Sequence, residues 1–143
     1  MDSYSYQCGV IDCFNEMVRA GLKPLALAHP CDTSQQRAQL LPFCNEVCAK
    51  YGNAFYLEDE MLLTDLFPTS MNAGKYNILF YRDPNVLRDY LQLKRDKEAL
   101  QNEGSYHGEV RRQIALRLGA LLGYPREGCE RLIRENTELE PSV

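Results

Sequence analysis

Apolar side chains recur at helical spacing in the first part of the chain. Ile11, Phe14 and Val18 fall three or four positions apart, the spacing that builds one apolar stripe on a helix. Gly21 follows this stretch, at a position where a left-handed residue commonly ends a helix. The pattern therefore predicts an amphipathic helix over residues 8–20.

A second helix is predicted to begin at Asp32, which with Gln35 resembles a capping box. Pro42 lies inside the pattern and should kink or split the helix, because proline lacks the N–H and crowds the preceding turn. Gly52 and Asn53 mark the end. One helical face carries the apolar residues Ala38, Leu41, Cys44, Val47, Cys48 and Tyr51.

Three short apolar runs have the composition of β-strands. They lie near residues 25–28, 54–57 and 76–82, and the last is the most aromatic of the three. Residues 60–67 are compatible with either helix or strand. Residues 68–74 are rich in turn formers and predict a loop.

The C-terminal part of the chain again shows helical spacing. Asp83 followed by Pro84 predicts the start of a long helix, with Asp as N-cap and Pro at the first helical position. A cleaner amphipathic helix is predicted over 109–122, and we expect it to be central. Gly119, Gly123, Tyr124 and Pro125 are a predicted packing and turn motif. Glycines four apart on a helix let another element approach closely. Pro125 is expected to be the first residue of the last helix.

These elements predict an α+β fold in which a small sheet of two to four strands packs against four or five helices. The length of 143 residues fits one globular domain over 1–143. The last nine positions contain three glutamates and no basic residue. We expect residues 138–143 to form a frayed tail.

Charge and hydropathy restrict the classes of partner. The net charge is −4, with five basic and nine acidic residues in 1–81 and eleven basic and eight acidic residues in 82–134. Nucleic acid is thus not an expected partner, and no apolar run approaches the ~20 residues of a membrane span. The residues after Met1 show neither a basic nor an apolar signal region, so we expect a cytoplasmic protein.

The most specific candidate chemistry is a cluster of ligand-type residues. His29 and Cys31 stand in the turn before the second helix, and Cys44 and Cys48 lie four apart on one face of it. Imidazole and thiolate are the groups that zinc prefers, and Cys31 next to a helix start could be an activated nucleophile. Alternatively, the thiols are reduced core side chains and no cofactor is bound. We favour the second interpretation.

Two further arrangements have weaker support. Ser105 and His107 could be combined with Asp83 or Glu109 as a hydrolase triad, but no nucleophile-elbow motif accompanies them. The acidic run at 58–60 could hold a hard cation, but three consecutive acids on a strand cannot all point the same way.

A family resemblance appears near the C-terminal end. The segment from Ile114 through Leu122-Gly123-Tyr124-Pro125, followed by Cys129, resembles the Leu-Gly-Tyr-Pro…Cys motif of a prokaryotic family of uncharacterised small proteins. The similarity covers about residues 75–135. It implies a prokaryotic, cytosolic protein and transfers no activity. Members often carry two cysteines after the proline, whereas this chain has Gly128-Cys129.

These observations leave open whether the protein is an enzyme. Our leading hypothesis is a non-enzymatic binding or regulatory module for a small molecule or a protein, acting as a homodimer. Nine tyrosines without tryptophan suit a partly exposed contact surface. The alternative is a zinc- or thiol-dependent protein that uses His29, Cys31, Cys44 and Cys48.

Overall fold

The computed structural model describes residues 1–141, which form a three-stranded antiparallel sheet between two layers of helices. This confirms the α+β class and the small sheet expected from the sequence. The helices are α1 (Ser3–Arg19), α2 (Ser34–Tyr51), α3 (Thr69–Asn72), α4 (Pro84–Asn102), α5 (Gly108–Leu121) and α6 (Arg126–Glu135). The strands are β1 (Leu25–Leu27), β2 (Ala54–Glu58) and β3 (Asn77–Tyr81).

The most apolar strand, β3, lies in the centre of the sheet. Its Tyr81 is opposite both Leu25 of β1 and Ala54 of β2, and at the other end of the sheet Asn77 is opposite Glu58. Four of the five residues of β3 are buried, as expected for a strand that is covered on both faces. The aromatic and branched run that predicted a strand near 76–82 therefore forms the middle of the fold.

Alternation along β3 divides the core into two clusters, since successive strand side chains point to opposite faces. Ile78 and Phe80 face α1 and α2, where they meet Ile11, Leu40 and Val47 in the "α1–α2 cluster". Leu79 faces the other helices. It belongs to the "α4–α6 cluster", whose buried members include Met61, Leu66, Tyr90, Leu93, Ile114, Leu118 and Cys129.

The two edges of the sheet differ. β1 has three residues and lies between Pro24 and Pro30. After Pro30, an isolated bridge pairs Cys31 with Tyr76, the residue before β3. β2 is a continuous five-residue strand. Proline cannot donate a backbone hydrogen bond. The row of backbone donors along the β1 edge is therefore interrupted, whereas the row along the β2 edge is continuous.

The first two helices begin at other residues than predicted. Helix α1 starts at Ser3 rather than near residue 8, because the Asp2 carboxylate accepts a 2.8 Å hydrogen bond from the Ser5 N–H and caps it. Helix α2 is capped by Thr33 and not by Asp32. The Thr33 hydroxyl accepts from the Gln36 N–H and the Gln36 side chain accepts from the Thr33 N–H, which is a complete capping box one residue later.

Pro42 does not split α2, which runs on to Tyr51 before Gly52 closes it in the left-handed conformation. The backbone bond that Pro42 cannot form would have gone to the carbonyl of Ala38. Both residues are exposed, so water can reach that carbonyl, while the opposite face of the helix is buried. Packing of this face outweighs the local cost of the proline.

The region between β2 and β3 is neither helix nor strand over 60–67. This irregular segment is largely buried, and the predicted loop after it contains the single-turn helix α3. Pro125, expected at the first position of α6, is its N-cap residue instead. The long helix does begin after Asp83, whose carboxylate accepts from the Asn85 N–H at 2.9 Å.

The described part of the predicted frayed tail is held against the fold. The Glu138 carbonyl accepts from the Thr69 N–H at 3.0 Å, and the Glu140 carboxylate pairs with Lys97 at 2.7 Å. In place of the free end that was expected from residue 138, these residues have a backbone hydrogen bond and an ion pair with partners distant in sequence. The last positions of that prediction, 142–143, lie outside the described residues.

Candidate functional site

The four predicted ligand residues do not form a metal site in the structure. Cys31, Cys44 and Cys48 all lie in the α1–α2 cluster, while His29 is exposed. Within residues 1–141, no group of three or more histidine, cysteine or acidic side chains is arranged to hold a metal ion. The four residues thus do not fit the zinc site that the alternative interpretation requires.

Burial also works against thiol chemistry. It raises the pKa of Cys44 to about 12 and the pKa of Cys48 to about 11, and it raises the pKa of Cys31 against the opposing charge of Arg37. The thiolate is the nucleophile, and these groups remain protonated thiols at neutral pH. The Cys31 sulfur lies 3.8 Å from the carbonyl oxygen of His29, with no hydrogen bond to its imidazole.

The other candidate arrangements are not assembled either. His107 is the N-cap residue of α5, and its only contact with Ser105 is a backbone hydrogen bond. The three acids at 58–60 diverge. Glu58 is buried, Asp59 pairs with Arg37 at 2.6 Å, and Glu60 is exposed.

A cleft along α4, here called the α4 cleft, has a volume of about 650 Å³. This size lies within the range typical of small-molecule sites. The irregular segment forms one wall, and α4 and the turn before β3 form the others. Its lining comprises residues 59–63, residues 72–74, Tyr76, Lys94, Lys97, Glu98 and Gln101.

A buried carboxylate organises the polar side of the α4 cleft. Glu58, whose side chain is 5% exposed, accepts hydrogen bonds from the Tyr90 hydroxyl at 2.7 Å and the Lys94 ammonium at 2.8 Å. Tyr90 accepts in turn from the Leu62 N–H at 3.0 Å. Burial and the Glu58 charge raise the pKa of Tyr90, so the phenol keeps its proton and remains a donor.

Lysine side chains from α4 also satisfy carbonyl groups of the irregular segment. Lys94 donates to the Glu60 carbonyl at 2.8 Å, and Lys97 donates to the Leu63 carbonyl at 2.7 Å. A buried backbone carbonyl without a partner is costly. The lysines therefore explain how a segment without regular structure can be buried.

A second ion pair holds the far end of the same segment. Arg111 binds the Asp65 carboxylate with two hydrogen bonds of 2.7 and 2.8 Å, and both side chains are about 10% exposed. Arg111 also donates to the Glu140 carbonyl at 3.0 Å. The guanidinium lies 5.1 Å from the centre of the Tyr106 ring, within the range of a cation–π contact.

The sequence did not predict these hydrogen bonds and ion pairs around the irregular segment, although one part of the pattern is visible in it. Tyr90, Lys94 and Lys97 share one face of α4, at i, i+4 and i+7. Tyr90 and Lys94 pair with Glu58, which lies 32 and 36 positions away, and Lys97 pairs with Glu140, 43 positions away. Helical spacing indicates which side chains share a face of the helix. It does not indicate which residues of other elements that face contacts.

Asn77 is the main unsatisfied polar group near the cleft. Its side chain is completely buried, and neither amide atom has a hydrogen-bond partner among residues 1–141. It is opposite Glu58 in the sheet and adjacent in sequence to Tyr76, which lines the α4 cleft.

The glycine motif places helices and turns in close contact. A Cβ atom on Gly119 would lie 2.2 Å from the Cys129 sulfur, so α5 and α6 meet there without room for a side chain. Gly123 adopts a φ of +80°, and a Cβ on it would lie 2.5 Å from the Leu22 carbonyl oxygen. Tyr124 packs 4.7 Å from the Lys23 ammonium. These residues therefore serve packing in the structure.

None of the helices within residues 1–141 combines the length and the apolar character that crossing a bilayer requires. Comparison of the chain with protein-family models, with curated proteins and with solved structures finds no match.

Proposed function

We propose that this protein is a non-enzymatic binding module that holds a small polar molecule in the α4 cleft. The observation that carries the proposal is the Lys94 ammonium at the cleft wall. Glu58 and the Glu60 carbonyl hold it in place through two of its protons. The side chain lines the cleft and is 29% exposed, so its third proton is left for a bound molecule.

The remaining lining supports a polar ligand. Tyr76, Glu98 and Gln101, which carry hydroxyl, carboxylate and amide groups, line the cleft together with residues 72–74. A donor that is already oriented loses little entropy when a ligand binds. Uncharged metabolites with several hydroxyl or carbonyl groups suit this surface best, because both lysines of the lining are already paired with carboxylates.

Two features favour binding over catalysis. The buried cysteines have raised pKa values and are not activated, and the exposed histidines make no side-chain hydrogen bond within residues 1–141. The polar groups beside the cleft are engaged in holding the irregular segment. A zinc- or thiol-dependent function is not proposed, because the three cysteines are buried protonated thiols and no three ligand-type residues within 1–141 are arranged to hold a metal ion.

The test is a thermal-shift screen with a matched pair of variants. Amino acids, sugars, nucleosides and organic acids would each be added to the wild type, to Ala73→Trp and to Ala99→Trp. Ala73 and Ala99 are both exposed, but only Ala73 lines the α4 cleft. A compound that binds the folded state raises its apparent stability.

We expect a hit to raise the melting temperature of wild type and Ala99→Trp and to leave Ala73→Trp unchanged. A shift that persists in Ala73→Trp would place the ligand elsewhere. The absence of a shift with any compound class would remove the cleft as a small-molecule site.

We further propose that the protein works in the cytoplasm as a homodimer. All six cysteines are free thiols, which suits a reducing compartment. Membership in the prokaryotic family that carries the Leu-Gly-Tyr-Pro…Cys motif is also a proposal. Two residues of the motif support it by having a packing role, since Gly123 lies against the Leu22 carbonyl and Cys129 lies against Gly119. An alignment in which positions 123 and 129 vary freely would contradict it.

A further inference from the structure

An aromatic pocket of about 310 Å³ lies beside β1, at the edge of the sheet. Helix α1 forms one wall, α3 and the turn before α6 form the other, and residues 27–30 form the floor. The two walls belong to different helical layers, so the pocket opens between these layers. Four of the lining residues carry aromatic rings, namely Tyr6, Phe14, Phe67 and Tyr124.

The lining of the aromatic pocket suits a flat apolar group. The rings of Phe67 and Tyr124 meet edge to face, with centroids 6.2 Å apart and planes at 90°. Tyr6 and Met71 are 59% and 46% exposed and form the rim. The volume lies at the lower end of the range for small-molecule sites, so we expect a ligand of one or two rings.

The floor of the aromatic pocket carries two backbone groups that the fold does not use. The Ala28 N–H donates to the Ile78 carbonyl, so the backbone groups of Ala28 point toward β3. Because these directions alternate along a strand, the N–H and C=O groups of Leu27 point away from the sheet, on the side where the pocket lies. No group elsewhere in residues 1–141 forms a hydrogen bond with them, so they can pair with a polar group of a ligand.

Lys23 places a positive charge beside two of the aromatic rings. Its ammonium lies 4.7 Å from the centre of the Tyr124 ring and 5.8 Å from the centre of the Phe14 ring. Within residues 1–141 it donates one hydrogen bond, to the Leu122 carbonyl at 2.6 Å, so two of its three protons remain for other acceptors. Burial lowers the pKa of Lys23, as expected for an ammonium that has lost water without gaining a counter-ion.

Lys23 differs in this respect from the other partly or fully buried cations of residues 1–141. Each of the others has a carboxylate partner within 4 Å; they are Arg37, Lys75, Lys94, Lys97, Arg111 and Arg112. Lys23 forms no such pair with any described residue. A partly buried charge is costly unless it is paired, and a carboxylate bound in the pocket would supply the missing partner.

We propose that the aromatic pocket binds a small aromatic carboxylic acid, with its ring among the aromatic side chains and its carboxylate on the Lys23 ammonium. Aromatic rings alone would also attract a cation, but the charge of Lys23 repels one and favours an anion. This inference goes beyond the proposed function and is independent of the α4 cleft, which lies along another helix and has a polar lining.

The test is a fluorescence titration with indole-3-acetate as the probe and indole-3-acetamide as its uncharged counterpart. The chain contains no tryptophan, so indole emission reports on the probe alone. We expect saturable binding of the acid to the wild type and binding of the amide that is weaker by about tenfold or more, because a hydrogen bond between charged groups is lost. Acetate, which lacks the ring, should not compete.

Two pairs of variants assign the binding to the aromatic pocket. Lys23→Met should weaken binding of the acid by about tenfold or more and leave binding of the amide unchanged, whereas Lys23→Arg should keep the preference for the acid. Val10→Phe should fill the pocket and abolish binding of both probes. Cys13→Phe is its matched control, since Cys13 is an exposed residue of the same helix that does not line the pocket.

Three results would overturn the proposal. They are the absence of saturable binding of the acid to the wild type, equal affinity of the wild type for acid and amide, and binding that a folded Val10→Phe leaves intact. Should Val10→Phe fail to fold, Lys23→Met decides alone, because its unchanged affinity for the amide shows that the pocket is formed. An unchanged affinity of Lys23→Met for the acid would then refute the proposal. None of these results bears on the α4 cleft, which Ala73→Trp tests separately.

Discussion

The two sides of the sheet are built in different ways. On the α1–α2 side, apolar residues and three thiols fill a cluster between two regular helices and the sheet. On the α4–α6 side, an irregular segment is inserted between the sheet and the helices, and charged side chains hold it. The first side is held mainly by apolar burial, whereas the second also needs particular polar partners in particular places.

This difference determines how each side responds to change. An apolar cluster loses stability in proportion to the volume removed. A buried ion pair loses much more when only one member is removed, because the other charge is left without a partner. We therefore expect the α4–α6 side to be sensitive to single polar substitutions and the α1–α2 side to tolerate conservative changes of its cysteines.

The largest effect is expected for Asp65→Ala, which leaves Arg111 buried without its carboxylate. The loss in unfolding free energy should be about 3–5 kcal/mol, measured by urea denaturation. The double variant Asp65→Leu with Arg111→Met should recover most of it, since an apolar pair of similar volume avoids the unpaired charge. A loss below about 1 kcal/mol for Asp65→Ala would mean that the pair does not hold this side.

A smaller loss is expected for Gly119→Ala, about 1–3 kcal/mol, because the added methyl group overlaps the Cys129 sulfur. Cys129→Ala in the same chain should relieve the overlap. Gly9→Ala is the matched control, since it lies in α1 with nothing within 4 Å of a new Cβ, and it should stabilise the helix by about 0.5–1 kcal/mol. Equal losses at Gly119 and Gly9 would contradict the close contact of α5 and α6.

Cys44→Ser tests whether sulfur on the α1–α2 side acts as an apolar filler. The hydroxyl would be buried among apolar groups, so the unfolding free energy should fall by about 1–3 kcal/mol. The same exchange at the exposed Cys13 should change it by less than about 0.5 kcal/mol. If Cys44→Ser were as stable as the wild type, the thiol would be meeting a polar partner rather than filling space.

The smallest effect concerns alkaline pH. The ordinary thiol pKa is 9.0, and burial raises it to about 12 for Cys44 and about 11 for Cys48. Above pH 9 the unfolded chain releases these protons while the folded chain keeps them, so the stabilisation present below pH 9 declines as the pH rises. Urea unfolding at pH 7.5 and 9.5 should show this loss, and the Cys44→Ala, Cys48→Ala double variant should show less of it. An identical pH dependence in both proteins would assign the loss to other groups.

The same contrast explains how much of the fold follows from the sequence. The helices of the α1–α2 side are predicted well, because the spacing of Ile11, Val18 and Val47 is enough to indicate which helix faces are buried. Errors there are local, such as the cap at Thr33 in place of Asp32, since both residue types cap helices.

The α4–α6 side could be predicted only in part. Its helices follow from periodicity, but residues 60–67 have no regular pattern and are positioned by side chains of Lys94, Lys97 and Arg111 from later helices. Pairs such as Asp65 with Arg111 are 46 positions apart, and one sequence contains no information that selects this pair among other acids and bases. The α4 cleft depends on these contacts and was missed with them.

The β1 edge of the sheet limits how many strands could be added to the sheet from other chains. A chain with two open edges could add copies at both and grow into a fibre, as heterologous contacts do when they fail to close. Here Pro24, Pro30 and the short strand between them leave one side of the sheet unsuited to further pairing. The sheet can therefore be extended at the β2 edge alone, so the residues around β1 protect the protein against fibre growth by strand addition.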